Sequence, residues 1–139
     1  VEMKGIVRTL NKEDREEVLH RIKNIVQDIP HAMGGKGELI RTESYTALIN
    51  EDNMVDIVRK NGVEILGKEN IYEIPYPSYG VEDFAYFAEA RPSAFFQLGS
   101  GNKEKGIVSS GHTSYFDIDE DCLVKGILLQ VKNALEFLK

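Results

Sequence analysis

The chain has 139 residues, 42% of them hydrophobic and 29% charged, a composition that fits a folded globular protein made of one domain or pieces of two. A formal net charge of -6 with scattered lysines and arginines excludes a nucleic-acid backbone as partner, because such binding needs a basic surface. The single cysteine, Cys122, excludes an internal disulfide and a thiolate metal cluster and suits a reducing, cytoplasmic compartment; no apolar run is long enough to span a bilayer, so no membrane partner is expected.

In chain order, Val1 to Leu10 reads as a strand broken at Asn11. Asn11 is a helix N-cap, and Glu13 and Asp14 sit in a first turn where acids face the positive end of the helix dipole. Val18, Ile22, Ile25 and Ile29, with Leu19 and Val26 beside them, recur at steps of three and four and predict one buried helix face. Pro30 should end or kink this helix, since it lacks the N–H for the Val26 carbonyl and crowds it, and Gly34-Gly35 completes the stop. Glu38 to Tyr45 reads as a second strand, which makes the segment a β-α-β unit.

From Asn50 onward helices and strands alternate. Glu51 and Asp52 lead a helix with Met54, Val55, Val58, Ile65 and Leu66 as its apolar positions; Gly62 is a weak point and Gly67 the stop. Ile71 to Ile74 reads as a short strand, Pro75 to Gly80 as a rigid turn, and Glu82 to Glu89 as a short helix ended by Arg91-Pro92. Ser93 to Leu98 is an apolar strand. Asp119 is expected to cap a last helix whose Leu123, Val124, Ile127, Leu128, Val131, Leu135 and Leu138 form a wide stripe facing the sheet.

Between that strand and that helix lies a glycine- and serine-rich loop carrying His112, close to the helix start. Connectors of this length are more often functional than idle, and neutral imidazole is the commonest metal ligand. A solvated loop histidine fits the same sequence. Arg8 fits a carboxylate clamp, because its fork of donors can engage both oxygens, and fits an exposed strand arginine equally well. Glu82 and Asp83 suit a helix first turn, and Gly99 and Gly101 suit either a close ligand approach or a tight turn.

Tyr79-Gly-Val-Glu-Asp-Phe-Ala-Tyr-Phe87, then Ala94-Phe-Phe-Gln-Leu-Gly-Ser-Gly101, then Gly111-His-Thr-Ser-Tyr-Phe-Asp-Ile-Asp-Glu120, in this order and spacing, resemble the C-terminal part of the aminoacylase-type dinuclear metallopeptidases. Within them the chain looks closest to the amidohydrolase branch of hippurate hydrolase, indole-acetyl-amino-acid hydrolases and N-acetyl-diaminopimelate deacetylase. Val81 stands where that family usually has Ser, and Thr113-Ser114 replaces its commoner Ser-Pro.

The resemblance implies an α/β fold in two parts. Residues 1–45 would be the second half of a ferredoxin-like β-α-β-β-α-β lid or dimerisation domain, and residues 46–139 the C-terminal segment of the catalytic α/β domain. It implies that His112 is the last metal ligand and that Arg8, Gly80, Val81 and Gly99 contact substrate, while no catalytic residue lies on this chain; the activating Glu and the other ligands would lie upstream. The implied cofactor is a divalent metal pair, zinc first, with manganese, cobalt or nickel as alternatives. The implied substrate is a small N-acyl amino acid or peptide. A lid that starts at its third strand leaves a vacant slot between the strands at 1–10 and 38–45, which predicts either a homodimer joined through strand edges or an aggregation-prone chain. The alternative is a non-catalytic dimerisation or binding module that keeps the fold.

Overall fold

The computed structural model describes every residue from Val1 to Lys139. Its regular structure is helical: α1 (Lys12–Ala32), α2 (Asp52–Leu66), α3 (Ala85–Ala90) and α4 (Asp121–Phe137), with a 3-10 turn at Lys68–Asn70 after α2. Two compact units form, Val1–Ile49 with Ile74–Arg91, and Asn50–Glu73 with Pro92–Lys139. The sequence reading places one boundary near Thr46. In the structure Ile74–Arg91 returns to the first unit because Arg8 Nη1 donates to the Tyr79 carbonyl at 2.6 Å and Tyr86 packs on Tyr45 at 5.7 Å between ring centroids.

The segments read as strands, at 1–10, 38–45, 71–74 and 93–98, form no ladder; the pairing present is an isolated antiparallel bridge between Asn102 and Ile107. Alternation in a sequence says which side chains share a face, but a strand also needs a neighbouring backbone to take its N–H and C=O groups. Asn50 supplies part of that need for one segment. Its side-chain amide donates to the Phe95 carbonyl at 2.9 Å and accepts from the Phe95 N–H at 2.8 Å, as a neighbouring strand would.

In the first unit, Asn11 caps α1 as expected, its Oδ1 accepting the Asp14 N–H at 2.7 Å. Pro30 does not end the helix. It lies inside the last turn, whose carbonyls are taken up beyond it: Met33 and Gly35 N–H both donate to Pro30 O, at 3.0 and 2.8 Å, and Gly34 follows with φ 77. The Val26 carbonyl that Pro30 leaves without its helical donor is approached by Gly37, where an added Cβ would sit 1.8 Å from Val26 O. From Gly37 the chain runs back along α1. Arg41 reaches Glu16 through two bonds of 3.0 and 2.8 Å, and Arg15 Nη2 donates to the Tyr45 carbonyl at 3.0 Å.

This return segment decides which face of α1 is covered. Leu19, Ile22, Val26 and Pro30 are half-buried, whereas Val18, Ile25 and Ile29, expected in the buried stripe, are exposed, the last two at 57%. The periodicity was sound, but the cover lies on one edge of the apolar arc only. The helix α3 begins three residues later than the sequence reading, after a turn in which Ala85 N–H donates to Glu82 O at 3.2 Å, and Pro92 stops it by holding Arg91 extended at φ -149.

In the second unit, Glu51 caps α2 by accepting the Met54 N–H at 2.9 Å, and Gly67, at φ 86, ends it by donating to Val63 O. Gly62 is buried, and an added Cβ would lie 2.9 Å from Ile71 Cδ1, so the weak point of the helix is a close packing position. The helix α2 packs on α4. Cys122 and Leu129 are buried on α4, and Gly126 lets Leu98 approach, an added Cβ there meeting Leu98 Cδ2 at 2.8 Å. Between the helices, fully buried Asn61 donates from Nδ2 to Asn133 Oδ1 at 2.9 Å, while its own Oδ1 has no hydrogen-bond partner. Lys60 pairs with Glu136 at 2.7 Å and Glu64 with Lys132.

The face that α4 turns to α2 is thus the small and polar one. The apolar stripe expected against a sheet, Leu123, Val124, Ile127, Leu128, Val131, Leu135 and Leu138, is exposed throughout, because the 93–98 segment beside it builds no sheet.

Gly37→Ala should lower the stability of the first unit by about 1–3 kcal/mol, the usual scale for overpacking a rigid site. Amide exchange would read this as faster exchange in the last two turns of α1. Unchanged protection there would show that the Gly37 approach is not needed.

Candidate functional site

The loop from Gly99 to the start of α4 is fastened at its base. Asn102 and Ile107 exchange two backbone bonds, 2.9 and 2.8 Å, around a turn closed by Gly106 at φ 76. Asn102 Oδ1 accepts the Glu104 and Lys105 N–H groups at 3.0 and 3.2 Å, the local bond that makes Asn a turn former. Asn102 Nδ2 donates to Asp119 Oδ2 at 2.6 Å, Lys105 Nζ donates to Asp119 Oδ1 at 2.7 Å and Asp121 Oδ2 at 2.8 Å, and Asp119 N–H donates to Ser100 O at 2.8 Å.

Asp119, expected to be the helix cap, is therefore mostly engaged elsewhere. Its Oδ1 lies 3.3 Å from the Asp121 N–H, a long bond, and α4 begins at Asp121 instead. The Lys105 ammonium and the Asn102 amide hold the Asp119 carboxyl down at about 2, against an ordinary 3.8. Lys105 is held well above its ordinary range by Asp119 and Asp121.

At the far end of the same loop Thr113 Oγ1 donates to Ser110 O at 3.0 Å and Phe116 N–H donates to Thr113 O at 3.2 Å. His112 stands in this turn with φ 62, the one residue other than glycine at positive φ. An L side chain is uncommon there, and glycine would be the easier residue. The ring is exposed and lies outside every hydrogen bond and ion pair of the chain. Its chemistry suits one metal bond, yet no group of three His, Cys, Asp or Glu side chains converges anywhere on the chain. A protein metal centre takes three or four such donors. These residues do not make up a metal centre by themselves.

The remaining candidates divide between the units. Arg8, Gly80 and Val81 belong to the first, Gly99 and His112 to the second. The bond from Arg8 to Tyr79 O brings the arginine to the Gly80 turn, where the Gly80 N–H donates to Ser78 Oγ at 3.0 Å and Val81 is half exposed. Arg8 also lines an open hollow of about 360 Å³ with Thr9, Asn11, Glu17 and Tyr79, and no carboxylate pairs with it. Gly99 has neither a positive φ nor any atom within 4 Å of where a side chain would start, so nothing within the chain requires glycine there. Sequence reasoning missed Asn102 and Lys105. Asn102 four residues before Gly106 does mark a turn, but its bond to a carboxylate 17 residues on has no local signal.

The fastening sets a pH dependence. A carboxyl lowered from 3.8 to about 2 contributes stability that is complete above pH 3.8 and is lost as pH falls toward 2. Amide exchange or NMR across 107–118 should show the loop loosening over that window in the native chain, and Asp119→Asn should lessen this change. A native loop that loosens only below pH 2, or an unaltered profile in Asp119→Asn, would contradict the assignment.

The pattern of peptidase family M20/M25/M40 matches residues 11–135. The chain is 31% identical to an uncharacterized hydrolase of Sinorhizobium fredii over 99% of its own length and 34% of that protein. It is likewise 31% identical to thermostable carboxypeptidase 1 of Saccharolobus solfataricus, over 98% of the chain and 34% of the relative. A third relative, IAA-amino acid hydrolase ILR1-like 6 of Arabidopsis thaliana, is 28% identical over 96% of the chain and 30% of its own length. The chain thus spans about a third of the length of the curated relatives it matches. No solved structure matches it significantly. A match running from the N-cap of α1 almost to the end of α4 means that the chain belongs to peptidase family M20/M25/M40, a family of hydrolases.

Proposed function

We propose that the chain is part of a metal-dependent amidohydrolase that cleaves N-acyl amino acids or small peptides, in the amidohydrolase branch that the sequence resembles. The observation that carries the reading is His112: an exposed imidazole held at φ 62 in a glycine-rich loop, inside the segment that the family pattern matches. In this reading His112 gives one imidazole to a divalent metal site whose other donors lie upstream. Bound there, such ions would supply Lewis acidity and a water of lowered pKa.

Arg8 has the other role. With one N–H on the Tyr79 carbonyl and no carboxylate partner, its guanidinium is oriented and still has donors for a substrate carboxylate. The names of two relatives, a carboxypeptidase and an IAA-amino acid hydrolase, fit a substrate that ends in an amino acid. Beside Arg8 the Val81 N–H is the backbone donor the turn leaves open, the Gly80 N–H being taken by Ser78 Oγ, and the open space over Gly99 leaves room for a ligand. We assign residues 1–45 to half of a lid and 46–139 to the end of the catalytic domain, an arrangement in which a sheet completed by upstream strands would cover the exposed stripe of α4.

In the full-length protein, His112→Ala should lower kcat at least about 100-fold with the fold intact, while Arg8→Ala should mainly raise KM for free-acid substrates and spare their amide analogues. Circular dichroism and steady-state kinetics on an N-acyl amino acid and its amide are the measurements. Full activity in His112→Ala, or equal losses on both substrates in Arg8→Ala, would remove the corresponding role.

The isolated chain should not hydrolyse these substrates, because no set of three metal-binding side chains converges on it. Incubation with zinc, manganese or cobalt and a panel of N-acetyl amino acids should give background rates, and metal-dependent turnover would refute this.

A further inference from the structure

We infer that Asn102 is a positioning residue: by gripping both ends of the loop that carries His112, it fixes where the imidazole stands. The inference rests on the role proposed for His112 and adds to it a residue 10 positions away in sequence that acts through the loop.

The His112 loop leaves the base at Ile107 and returns to it at Asp119. Asn102 holds Ile107 through both backbone bonds, 2.9 and 2.8 Å, and holds Asp119 through its side-chain Nδ2 at 2.6 Å. The same amide is kept in place by its Oδ1, which accepts from Glu104 and Lys105 N–H, and Lys105 in turn braces the second oxygen of Asp119. Bringing the ends of a loop together costs conformational entropy, and a flexible loop would spread its apex over many positions. Here the closure is already made. The apex, in contrast, has few bonds of its own, the contacts of Thr113 with Ser110 and Phe116, and it carries a residue in an unfavourable region. A non-glycine residue at positive φ persists where its surroundings over-determine it. The fastening at the base supplies part of that determination.

The network meets the helices only at the start of α4, where Asp119 O accepts the Cys122 N–H at 3.0 Å and Lys105 pairs with Asp121; buried Leu129 and the Asn61–Asn133 bond further along share no bond with it. The turn tip, from Lys103 to Gly106, is exposed and buries no apolar side chain. What the fastening holds is the loop and what the loop carries.

The test uses the full-length protein. Asn102→Ala should lower kcat about 10- to 100-fold, the scale of a misplacement near 1 Å, with KM changed less than about threefold. Amide exchange over 107–118 should accelerate while α2 and α4 keep their protection. Asn102→Asp should be as impaired as Asn102→Ala, since it sets a carboxylate against Asp119. Adding Asp119→Asn exchanges the pair and should recover at least a tenth of the activity together with the loop protection. Activity within threefold of the native protein in Asn102→Ala, beside an inactive His112→Ala, would overturn this inference alone, and so would equal loss of protection in α2 and α4 or no recovery in the exchanged pair. Full activity in His112→Ala would instead overturn the proposed function, and the positioning role with it.

Discussion

The second unit depends on a helix contact made through the wrong residues for a hydrophobic core. Where α2 meets α4, the centre is the Asn61–Asn133 bond, flanked by two ion pairs, with Leu129 and Cys122 as the buried apolar side chains of α4. One neutral hydrogen bond contributes about 1 kcal/mol net, and exposed ion pairs typically less. An Asn carbonyl left without a partner subtracts from that sum. Outside this contact each helix has one close neighbour, Ile71 against Gly62 of α2 and Leu98 against Gly126 of α4, whose side-chain ends would have to shift to admit a Cβ. The polar pair fixes the register of the two helices, since only one alignment sets Asn61 opposite Asn133.

The consequence is an outward apolar face. Once the small and polar side of α4 is turned to α2, its leucines, isoleucine and valines face solvent, and contiguous exposed apolar surface of this kind is unusual on a monomeric globular protein. The same logic holds for α1, where the return segment from Gly37 covers one edge of the apolar arc and leaves Ile25 and Ile29 uncovered. On both helices the apolar arc that the sequence writes is wider than the cover these residues supply.

The glycine-rich loop is ordered by different physics. Its fixed points are a side-chain amide and a carboxylate at its base, short charge-assisted bonds that need no apolar burial. That makes the loop independent of whether the apolar faces are covered, and it lets an exposed histidine keep a defined place. The acidic sensitivity of the fastening has the same source, because protonating Asp119 removes the charge that both Lys105 and Asn102 bind.

Much was legible in the sequence. Asn11, Glu51 and Gly67 mark helix ends through their own side chains or backbone freedom, and the structure uses each as a local signal should be used. Local composition also singles out His112, a histidine among glycines and serines, and the structure adds its backbone at φ 62. Pro30 marks the end of α1 to within two residues, and the helix runs past it because the turn beyond is bonded and another backbone lies against the freed carbonyl, which depends on Gly37 seven residues away. Periodicity determined that α1 and α4 have apolar faces; only tertiary structure decided which face is covered, and on α4 it chose the polar one, because the partner available was α2 and not a sheet. Alternation likewise determined strand-like segments but could not supply their neighbours. Local chemistry is written within a few residues and can be read there, whereas burial, strand pairing and the grip of Asn102 on Asp119 belong to pairs of distant residues that the order of the chain does not name.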